Sequence, residues 1–464
     1  MKNNALTGCK IAVIGLGHVG LPTALGLAEA GWNVLGADDN SEIIAQVQNG
    51  LPPFYEPDLE ETLKRHLRSG SFLPSEDLRE AILQCDVLFV CVGTPQGENG
   101  AADLSQVELV ARTIARNLNG YKLIVEKSTT PVRTAERIKQ TLLRYGNGKA
   151  EVDVAVNPEF LQEGSALHDV LHPDRVVLGV ESERVRQILE GIYRPLLDRL
   201  PLPGECERCD VAARSGGPEQ RLLVTDLNTA EIIKHAANAF LATRVSFANM
   251  VADLCEATGA DITKVTHAIG LDPRIGPHFL RAGVGYGGYC LPKDVQAFIR
   301  IADEHGVNFS ILRAAAQINE GRINRFCEMI RQKLWVIRGK TIGVLGLAFK
   351  PGTDDIREAP SLKILARLLA EGASLHLHDP QAMDNVQRLF PAEPGRVVHC
   401  SSAYEAAAGA HALCLLTEWD EYLALDLAKV HRSMEVPILF DGRNFYDPET
   451  MRGLGFEYIS VGRP

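Results

Sequence analysis

The sequence predicts an α/β fold in which two doubly wound parallel sheets flank a section built from helices. Short apolar runs typical of buried strands recur through residues 11–156 and are separated by stretches with helical spacing. The same alternation returns after residue 339, whereas residues 226–333 show apolar residues at helical spacing alone. We therefore expect three domains, covering residues 1–221, 222–333 and 334–464.

Composition indicates an ordinary globular protein. The chain has 464 residues, of which 45% are hydrophobic and 23% are charged. Its net charge of -11 argues against nucleic acid as a partner, because a nucleic-acid binder needs a basic surface. The start lacks the features of a signal peptide, and no apolar run is long enough to span a membrane, so we expect no membrane partner. The scattered cysteines favour a reducing, cytoplasmic location.

The strands of the first domain are short apolar runs. We predict them at residues 11–14, 33–37, 87–92, 123–126 and 152–156. The helical spacing between these runs indicates crossover connections, which make neighbouring strands parallel and place helices on both faces of the sheet.

The middle section carries helical periodicity through residues 230–257 and 310–330. It follows a loop at residues 202–221 that is rich in glycine, proline and charge and marks a domain boundary. This loop contains Cys206 and Cys209, but no second pair completes a zinc site. We therefore expect no metal and interpret the pair as incidental to the loop.

The third section repeats the outline of the first. We predict strands at residues 340–345, 374–378, 412–416 and 437–440. The turn after the first of these strands keeps only Gly346 of the three glycines seen near the chain start, and the second strand ends in Asp379. This pattern predicts a second doubly wound domain that does not bind a dinucleotide in the usual way.

Gly15, Gly17 and Gly20 form a G-x-G-x-x-G pattern between the first strand and a helix. Such glycines permit a tight turn and let backbone N–H groups approach a pyrophosphate at a helix N-terminus. Asp38 ends the next strand, 18 residues after Gly20, where a carboxylate can bind the adenosine ribose. The combination predicts a Rossmann domain that binds NAD rather than NADP, because Asp38 repels a 2′-phosphate. A purely structural glycine turn is the alternative.

Cys290 follows a glycine-rich stretch at residues 285–288. Pro292 suits the first turn of a helix, and a thiol near a helix N-terminus is favoured as a thiolate, the nucleophilic form. Asp294, four residues on, lies where it can face the same side. The alternative is a buried and inert cysteine, but the glycine-rich approach and the nearby acid favour a catalytic one.

Two polar pairs have the four-residue spacing that places side chains on one helix face. Lys234 and Asn238 form one pair, and Glu159 and Glu163 form the other. The pattern alone leaves two interpretations open, either a functional site or the exposed polar face of a helix.

Taken together, these motifs resemble those of the UDP-glucose/GDP-mannose dehydrogenase family, from Lys10 to about Pro448. The matching segments are residues 15–20, 55–57, 92–95, 127–131, 157–164, 230–234 with Asn238, 274–276, 287–294, 346–350, 353–357, 417–419 and 440–443. The resemblance implies an N-terminal Rossmann NAD-binding domain, a central helical dimerisation domain and a C-terminal Rossmann-like UDP-binding domain.

The resemblance also implies a reaction. The primary alcohol of a nucleotide sugar, expected to be UDP-glucose, would be oxidised twice by NAD to give UDP-glucuronate. Cys290 would form a thiohemiacetal with the intermediate aldehyde and then a thioester, which water hydrolyses. The other implied catalytic residues are Lys234, Asn238, Asp294, Glu163, Thr129 and Glu159. Lys234 and Asn238 would stabilise the oxyanion and Asp294 would assist proton transfer, whereas Glu163 would act as the base for hydrolysis.

Binding residues follow from the same resemblance. Those implied for NAD are Gly15, Leu16, Gly17, His18, Val19, Gly20, Asp38, Val92, Gly93, Thr94, Thr129, Glu163 and Arg357. Those implied for the substrate are Glu159, Phe160, Leu161, Glu163, Lys234, Asn238, Arg274, Tyr286, Gly287, Gly288, Lys350 and Arg443. Arg274 would reach the site of a neighbouring subunit, so we expect a homodimer or a higher homo-oligomer.

Tyr289 departs from the family pattern, which usually has Ser or His before the nucleophile. This departure leaves GDP-mannose and a UDP-N-acetylhexosamine open as alternative substrates. A hydroxyacid dehydrogenase that oxidises once shares several features but has no use for Cys290 or for a third domain. A regulator that only binds NAD would keep the glycines without the Cys290, Lys234 and Asp294 set.

Overall fold

A computed structural model of the chain describes residues 10–97, 100–146, 148, 150–198 and 218–464. It divides into two compact units, one ending at Ala236 and the other beginning at Ala237. The predicted loop with Cys206 and Cys209 lies outside the described residues.

The first unit is built on one eight-stranded sheet. Its strands are β1 Ile11–Ile14, β2 Val34–Ala37, β3 Phe72–Ser75, β4 Val87–Val90, β5 Lys122–Glu126, β6 Val152–Val156, β7 Val176–Gly179 and β8 Leu222–Thr225. Their order across the sheet is β3-β2-β1-β4-β5-β6-β7-β8. Neighbours run parallel except β6 and β7, which pair antiparallel.

Helices cover both faces of this sheet. They are α1 Gly20–Glu29, α2 Ser41–Gln48, α3 Leu59–Ser69, α4 Leu78–Gln84, α5 Ser105–Arg116, α6 Thr134–Tyr145, α7 Ala166–Leu171, α8 Glu183–Asp198 and α9 Pro218–Arg221. Strand β1 shows why both faces need cover. Ile11 and Val13 point into one apolar core, and Ala12 and Ile14 point into the other. A strand buried on both faces is apolar without interruption, which is why the sequence signal was clear here.

All five strands predicted for the first domain are present, with ends that shift by at most two residues. The sequence did not indicate β3, β7 or β8. Strand β3 contains Pro74 and lies at one edge, while β8 lies at the other edge and is partly exposed. Edge strands need no continuous apolar run, so their signal is weak. Strand β8 also carries the first sheet past residue 221, the predicted limit of its domain, as far as Thr225.

The middle section is helical, as the sequence predicts. Its helices are α10 Leu227–Thr258, α11 Ile262–Gly270, α12 Cys290–Glu304 and α13 Ser310–Leu334. Helix α10 begins in the first unit and continues into the second. Among the described residues, no helix combines the length and apolar character needed to cross a membrane.

The second unit also contains a six-stranded sheet. Its strands are β9 Thr341–Leu345, β10 Ser374–His378, β11 Val397–His399, β12 Ala412–Leu415, β13 Ile438–Asp441 and β14 Glu457–Ser460. The order is β11-β10-β9-β12-β13-β14, and all neighbours run parallel. Helices α14 Pro360–Ala370, α15 Met383–Leu389, α16 Ala403–Ala407, α17 Leu427–Ser433 and α18 Pro448–Gly453 complete the unit. The fold is thus the predicted α/β class with two doubly wound sheets.

Asp379 closes the turn that follows β9. One of its carboxylate oxygens accepts backbone N–H bonds from Leu347 at 2.6 Å and Ala348 at 3.0 Å. The indole N–H of Trp419 donates to the same oxygen at 3.1 Å. In the first sheet, the equivalent turn carries the glycines of a dinucleotide site. Here Asp379 binds two consecutive backbone N–H groups, and the turn has one glycine, Gly346.

Candidate active site

The glycine turn after β1 has the geometry that a pyrophosphate needs. Gly15 has a φ of +91°, and a Cβ there would lie 2.7 Å from the Cys91 carbonyl oxygen. A Cβ on Gly20 would lie 1.7 Å from the Gly15 carbonyl oxygen, so the start of α1 requires glycine. No atom lies within 4 Å of a Cβ placed on Gly17. The space beside Gly17 at this helix start is therefore open, which fits the approach of a pyrophosphate such as that of NAD.

Asp38 stands at the end of β2, where the ribose of NAD is expected. Its carboxylate accepts the backbone N–H of Leu16 at 2.7 Å and that of Asn40 at 2.9 Å. These bonds fix the acid beside the glycine turn and leave lone pairs on each oxygen for ribose hydroxyls. His18 stacks on Phe54 with ring centroids 4.1 Å apart, which holds the far side of the turn.

The loops after β4 and β5 are joined by two hydroxyl groups. Thr94 donates its hydroxyl to the Thr129 carbonyl at 2.8 Å. Ser128 donates its hydroxyl to the Val92 carbonyl at 2.7 Å. Both loops lie at the carboxyl ends of parallel strands, the edge at which ligands bind in this class of fold. The structure therefore brings Val92 and Thr94, two of the residues predicted for NAD, together with the turn that carries Thr129.

Beneath the Thr129 turn lies a buried polar cluster that the sequence did not indicate. Glu126 accepts the hydroxyl of Thr130, and the His235 ring donates from Nε2 to the Thr130 carbonyl at 2.7 Å. Glu231 accepts the backbone N–H of Ala135 at 3.0 Å, in the first turn of α6. Burial raises the pKa of the Glu126 carboxyl well above its usual range, and the neighbouring Glu231 raises it further.

Glu159 and Lys234 form a buried ion pair. Lys234 Nζ lies 2.7 Å from Glu159 Oε1, and their side chains are 5% and 4% exposed, respectively. The second oxygen of Glu159 accepts the backbone N–H of Leu161 at 2.7 Å. Residues 157–164 form a loop, so the interpretation of Glu159 and Glu163 as the exposed face of a helix is wrong. Phe160 lies beneath two cations, with Arg175 Cζ 3.8 Å and Lys234 Nζ 5.6 Å from its ring centre.

Glu56 explains the Tyr55-Glu56-Pro57 motif in physical terms. Its two carboxylate oxygens accept the backbone N–H groups of Gly164 and Ala166, each at 2.7 Å. Ala166 begins α7, so the acid satisfies donors at a helix start and fixes the end of the loop that carries Glu163.

Lys127 ties the loop after β5 to the loop after β6. Its ammonium donates to the Asn157 side-chain oxygen at 3.0 Å, and the Tyr193 hydroxyl donates to the same oxygen. Asn157 in turn donates to the Val177 carbonyl at 2.9 Å. Burial lowers the pKa of Lys127. These partners are distant in the sequence, so the motif alone did not reveal them.

In the second unit, Cys290 is the first residue of α12, as predicted. The same helix carries Asp294, which is fully buried and accepts one hydrogen bond at each oxygen. Asn238 donates from Nδ2 at 2.6 Å, and Lys293 donates from Nζ at 2.7 Å. The predicted acid and amide are therefore brought together one helical turn from the thiol.

Tyr289 lies between two cations. The centre of its ring is 4.3 Å from Arg357 Cζ and 5.4 Å from Lys293 Nζ. Asp355 binds the guanidinium of Arg357 through both oxygens, at distances from 2.7 to 3.0 Å. The backbone N–H of Gly288 also donates to the Arg357 carbonyl at 3.0 Å. The segment before Cys290 is thus packed against residues 355–358.

The predicted substrate residues of the second unit fall into two groups. Arg443 is largely buried and donates to the carbonyls of Leu416 at 2.7 Å and Phe349 at 3.0 Å, so it orders the turn that carries Lys350. Tyr286 is fixed by its backbone N–H, which donates to the Asn319 side chain at 2.8 Å. Arg274 differs from both, because its side chain is 87% exposed.

Comparison with known proteins covers nearly the whole chain. Residues 9–197, 228–321 and 343–448 match the NAD binding, central and UDP binding domains of the UDP-glucose/GDP-mannose dehydrogenase family. A UDP-glucose 6-dehydrogenase of Pseudomonas aeruginosa is 41% identical, with 98% of each chain covered. One of Bacillus subtilis is 38% identical and covers 98% of this chain and 93% of its own.

Solved structures agree. A UDP-glucose dehydrogenase from Pyrobaculum islandicum is 35% identical, has a TM-score of 0.86, and matches over 98% of this chain and 97% of its own. A UDP-D-ManNAc dehydrogenase from Pyrococcus horikoshii is 27% identical with a TM-score of 0.82, over 98% of this chain and 99% of its own.

Proposed function

Because the chain belongs to the UDP-glucose/GDP-mannose dehydrogenase family, we propose that it oxidises UDP-glucose to UDP-glucuronate with two NAD and one water. The observation that carries this proposal is the position of Cys290 at the first residue of α12, one turn from the buried Asp294. Bound NAD would supply the hydride acceptor for both oxidations. The protein's own residues would do the remaining work.

Cys290 would attack the aldehyde that the first oxidation leaves at C6. A sulfur–carbon bond forms, and the carbonyl oxygen becomes an oxyanion. Lys234 and Asn238 would stabilise that charge, because an ammonium and an amide N–H both bind oxyanions. The adduct then carries a hydrogen on a tetrahedral carbon, which can leave as hydride far more readily than from a bare aldehyde.

Hydrolysis of the resulting thioester needs a water and a base. Glu163 would take a proton from the water as its oxygen attacks the acyl carbon, and the Cys290 thiolate would leave. Thr129 and Glu159 would hold the water. Glu56 supports this role indirectly, because it fixes the end of the loop that carries Glu163. Asp294 would move the proton of the substrate hydroxyl.

Substrate binding draws on the second unit. Lys350 and Arg443 would bind the nucleotide sugar, with Tyr286, Gly287 and Gly288 lining its path and Arg357 contacting NAD. The order that Arg443 imposes on residues 349–350 supports this proposal. The exposed Arg274 would serve the site of a neighbouring subunit.

A homodimer is the expected minimum assembly. Helix α10 presents four large apolar side chains, Phe240, Phe247, Met250 and Leu254, which are 46–63% exposed. Their spacing of seven, three and four residues places them on one helix face. An apolar stripe of this kind marks an association surface. The cytoplasm remains the predicted compartment.

The test is a spectrophotometric assay of NADH formation with UDP-glucose. We expect two NADH for each UDP-glucuronate, and loss of turnover in Cys290→Ala. Cys255→Ala is the matched control, because Cys255 is a buried cysteine elsewhere in the second unit. One NADH per product, or uronate formation by Cys290→Ala, would contradict the mechanism.

A second candidate substrate is a UDP-N-acetylhexosamine. Tyr289 is the reason to test this substrate. It precedes the nucleophile, and UDP-glucose enzymes usually have a different residue at that position. The likeness to the Pyrococcus horikoshii protein points the same way. Rates with UDP-glucose, UDP-N-acetylmannosamine and GDP-mannose at equal concentrations decide the matter. We expect UDP-glucose to be oxidised fastest.

A further inference from the structure

Two buried glutamates meet beneath the turn that carries Thr129. Glu126 is the last residue of β5 and Glu231 lies on α10, and they are 1% and 3% exposed, respectively. Both carboxyl groups contact the same segment, Glu126 through the Thr130 hydroxyl and Glu231 through backbone N–H groups of residues 133–135. Two ionised carboxylates buried this close to one segment would repel each other, which favours a proton on one of them.

The surrounding contacts indicate which glutamate holds this proton. Glu231 accepts the backbone N–H groups of Arg133 at 2.6 Å and Ala135 at 3.0 Å, at the N-terminus of α6. Two backbone donors and the positive end of a helix favour its ionised form. Glu126 Oε2, by contrast, meets no hydrogen-bond donor among the described residues. A proton on Glu126 makes that carboxyl group the donor to Glu231 and satisfies both partners.

We propose that Glu126 and Glu231 are positioning residues that share one proton and so hold the Thr129 turn against the start of α6. On its other side, the turn is bound to the predicted NAD site, because Thr94 donates its hydroxyl to the Thr129 carbonyl at 2.8 Å. The two glutamates and Thr94 thus hold the Thr129 turn from two sides through hydrogen bonds. The inference rests on the proposed function, because the proposed function gives Thr129 its part in catalysis.

The pair has a consequence for pH dependence. Burial, and then the charge of Glu231, hold the pKa of Glu126 well above its usual range. Burial also raises the pKa of Glu231, with a smaller contribution from Glu136 on α6. His235 completes the surroundings from α10 through its bond to Thr130. A carboxyl group whose pKa is raised on folding contributes stability below its unfolded-state pKa of about 4.3, and this is lost as pH rises through the folded-state pKa.

Two amide variants separate the roles of the pair. In Glu126→Gln, the side-chain amide donates to Glu231 and accepts from Thr130 as the protonated acid does, but it cannot ionise. We expect its melting temperature to depend less on pH than that of the wild type between pH 5 and 10. In Glu231→Gln, the acceptor for two backbone N–H groups loses its charge. We expect hydrogen exchange in residues 132–136 to accelerate by ~10-fold or more. Glu108→Gln, an exposed change on α5, is the control and should match the wild type.

Activity gives a second readout on the same variants. We expect Glu126→Gln to keep kcat within ~3-fold of the wild type, and Glu231→Gln to lose ~10-fold or more in kcat with little change in KM. Equal loss in both variants, or an unchanged pH dependence of melting in Glu126→Gln, would overturn the inference. If the wild type itself fails to oxidise UDP-glucose, the proposed function fails, and the melting and exchange results still decide whether the proton is shared.

Discussion

Lys234 Nζ lies 2.7 Å from Glu159 Oε1, and both side chains are almost completely buried. The ammonium proposed to stabilise the oxyanion is therefore also the partner of the carboxylate proposed to hold the hydrolytic water. In a poorly solvated site, each charge compensates the other, and Lys127 and Arg175 also interact with Glu159. The two halves of the proposed reaction are thus coupled through one ion pair.

Breaking this pair on one side is expected to destabilise the protein. In Lys234→Met the buried Glu159 loses the cation that lies 2.7 Å away, at a cost of about 3–5 kcal/mol. Glu159→Gln removes the carboxylate charge beside the ammonium and should lower the melting temperature in the same way. The double variant should lose less than the sum of the two, as calorimetry will measure. Lys139→Met, which removes an exposed pair with Glu181, is the control and should cost ~0–1 kcal/mol. Additive losses in the double variant would show that the two residues act independently.

Tyr289 is expected to act through its ring. A cation over an aromatic face contributes about 0.5–2 kcal/mol, so Tyr289→Leu should weaken the contact between Arg357 and the segment before Cys290, although Asp355 still binds the guanidinium. We predict that Tyr289→Phe keeps kcat/KM near the wild-type value and that Tyr289→Leu lowers it by ~3–30-fold. The rate at which iodoacetamide alkylates Cys290 should change in Tyr289→Leu and should stay at the wild-type value in Tyr289→Phe. If the phenylalanine variant is equally impaired, the hydroxyl rather than the ring is responsible.

Asp38 is expected to set the choice of cofactor. Its carboxylate is held beside the glycine turn by the Leu16 N–H and would repel the 2′-phosphate of NADP. The wild type should therefore have a much higher kcat/KM with NAD than with NADP. Asp38→Asn should lower the ratio of these two values by ~10-fold or more, since a unit charge is removed. Asp39→Asn is the neighbouring control, because Asp39 is exposed. A wild-type enzyme that uses both cofactors with similar efficiency would refute the assignment.

The apolar stripe on α10 is expected to hold subunits together. The substitutions Phe247→Glu and Leu254→Glu place two charges on a surface that would be buried in the dimer. Burying these charges costs several kcal/mol. Sedimentation of the Phe247→Glu/Leu254→Glu protein should therefore show a smaller species than the wild type. Leu389→Glu, an exposed change on α15, should leave the sedimentation unchanged. A wild type that sediments as a monomer would contradict the proposed assembly.

The sequence predicted best those elements whose environment is uniform. Strand β1 is buried on both faces and reads as an unbroken apolar run, so its bounds match the prediction. The strand at residues 437–440 was placed one residue early, because Asp441 continues β13 although it is charged. Edge strands such as β3 escaped notice because partial exposure tolerates polar residues and proline.

Candidate site residues within contiguous motifs could also be proposed from the sequence, whereas their supporting partners could not. Glu126 and Glu231 are 105 residues apart, and Glu56 reaches a loop 108 residues further along the chain. Each is a charged residue at a position that is equally compatible with solvent exposure when only local spacing is considered. Their burial depends on tertiary contacts, which carry no local periodic signal. The physical cost of burying them marks them as important only once the fold is known.

The closed turn at Asp379 has a consequence for the timing of the reaction. Of the two glycine-type turns in the described residues, the one after β1 keeps all three glycines and open space beside Gly17, whereas in the other Asp379 binds two consecutive backbone N–H groups. A chain with a single such site that removes four electrons must load that site twice for each sugar. The half-oxidised sugar therefore has to remain on the protein longer than one exchange of cofactor takes. The yield of uronate therefore depends on whether a second NAD binds before the aldehyde dissociates. Covalent attachment of the aldehyde to a thiol would prevent its dissociation during that exchange.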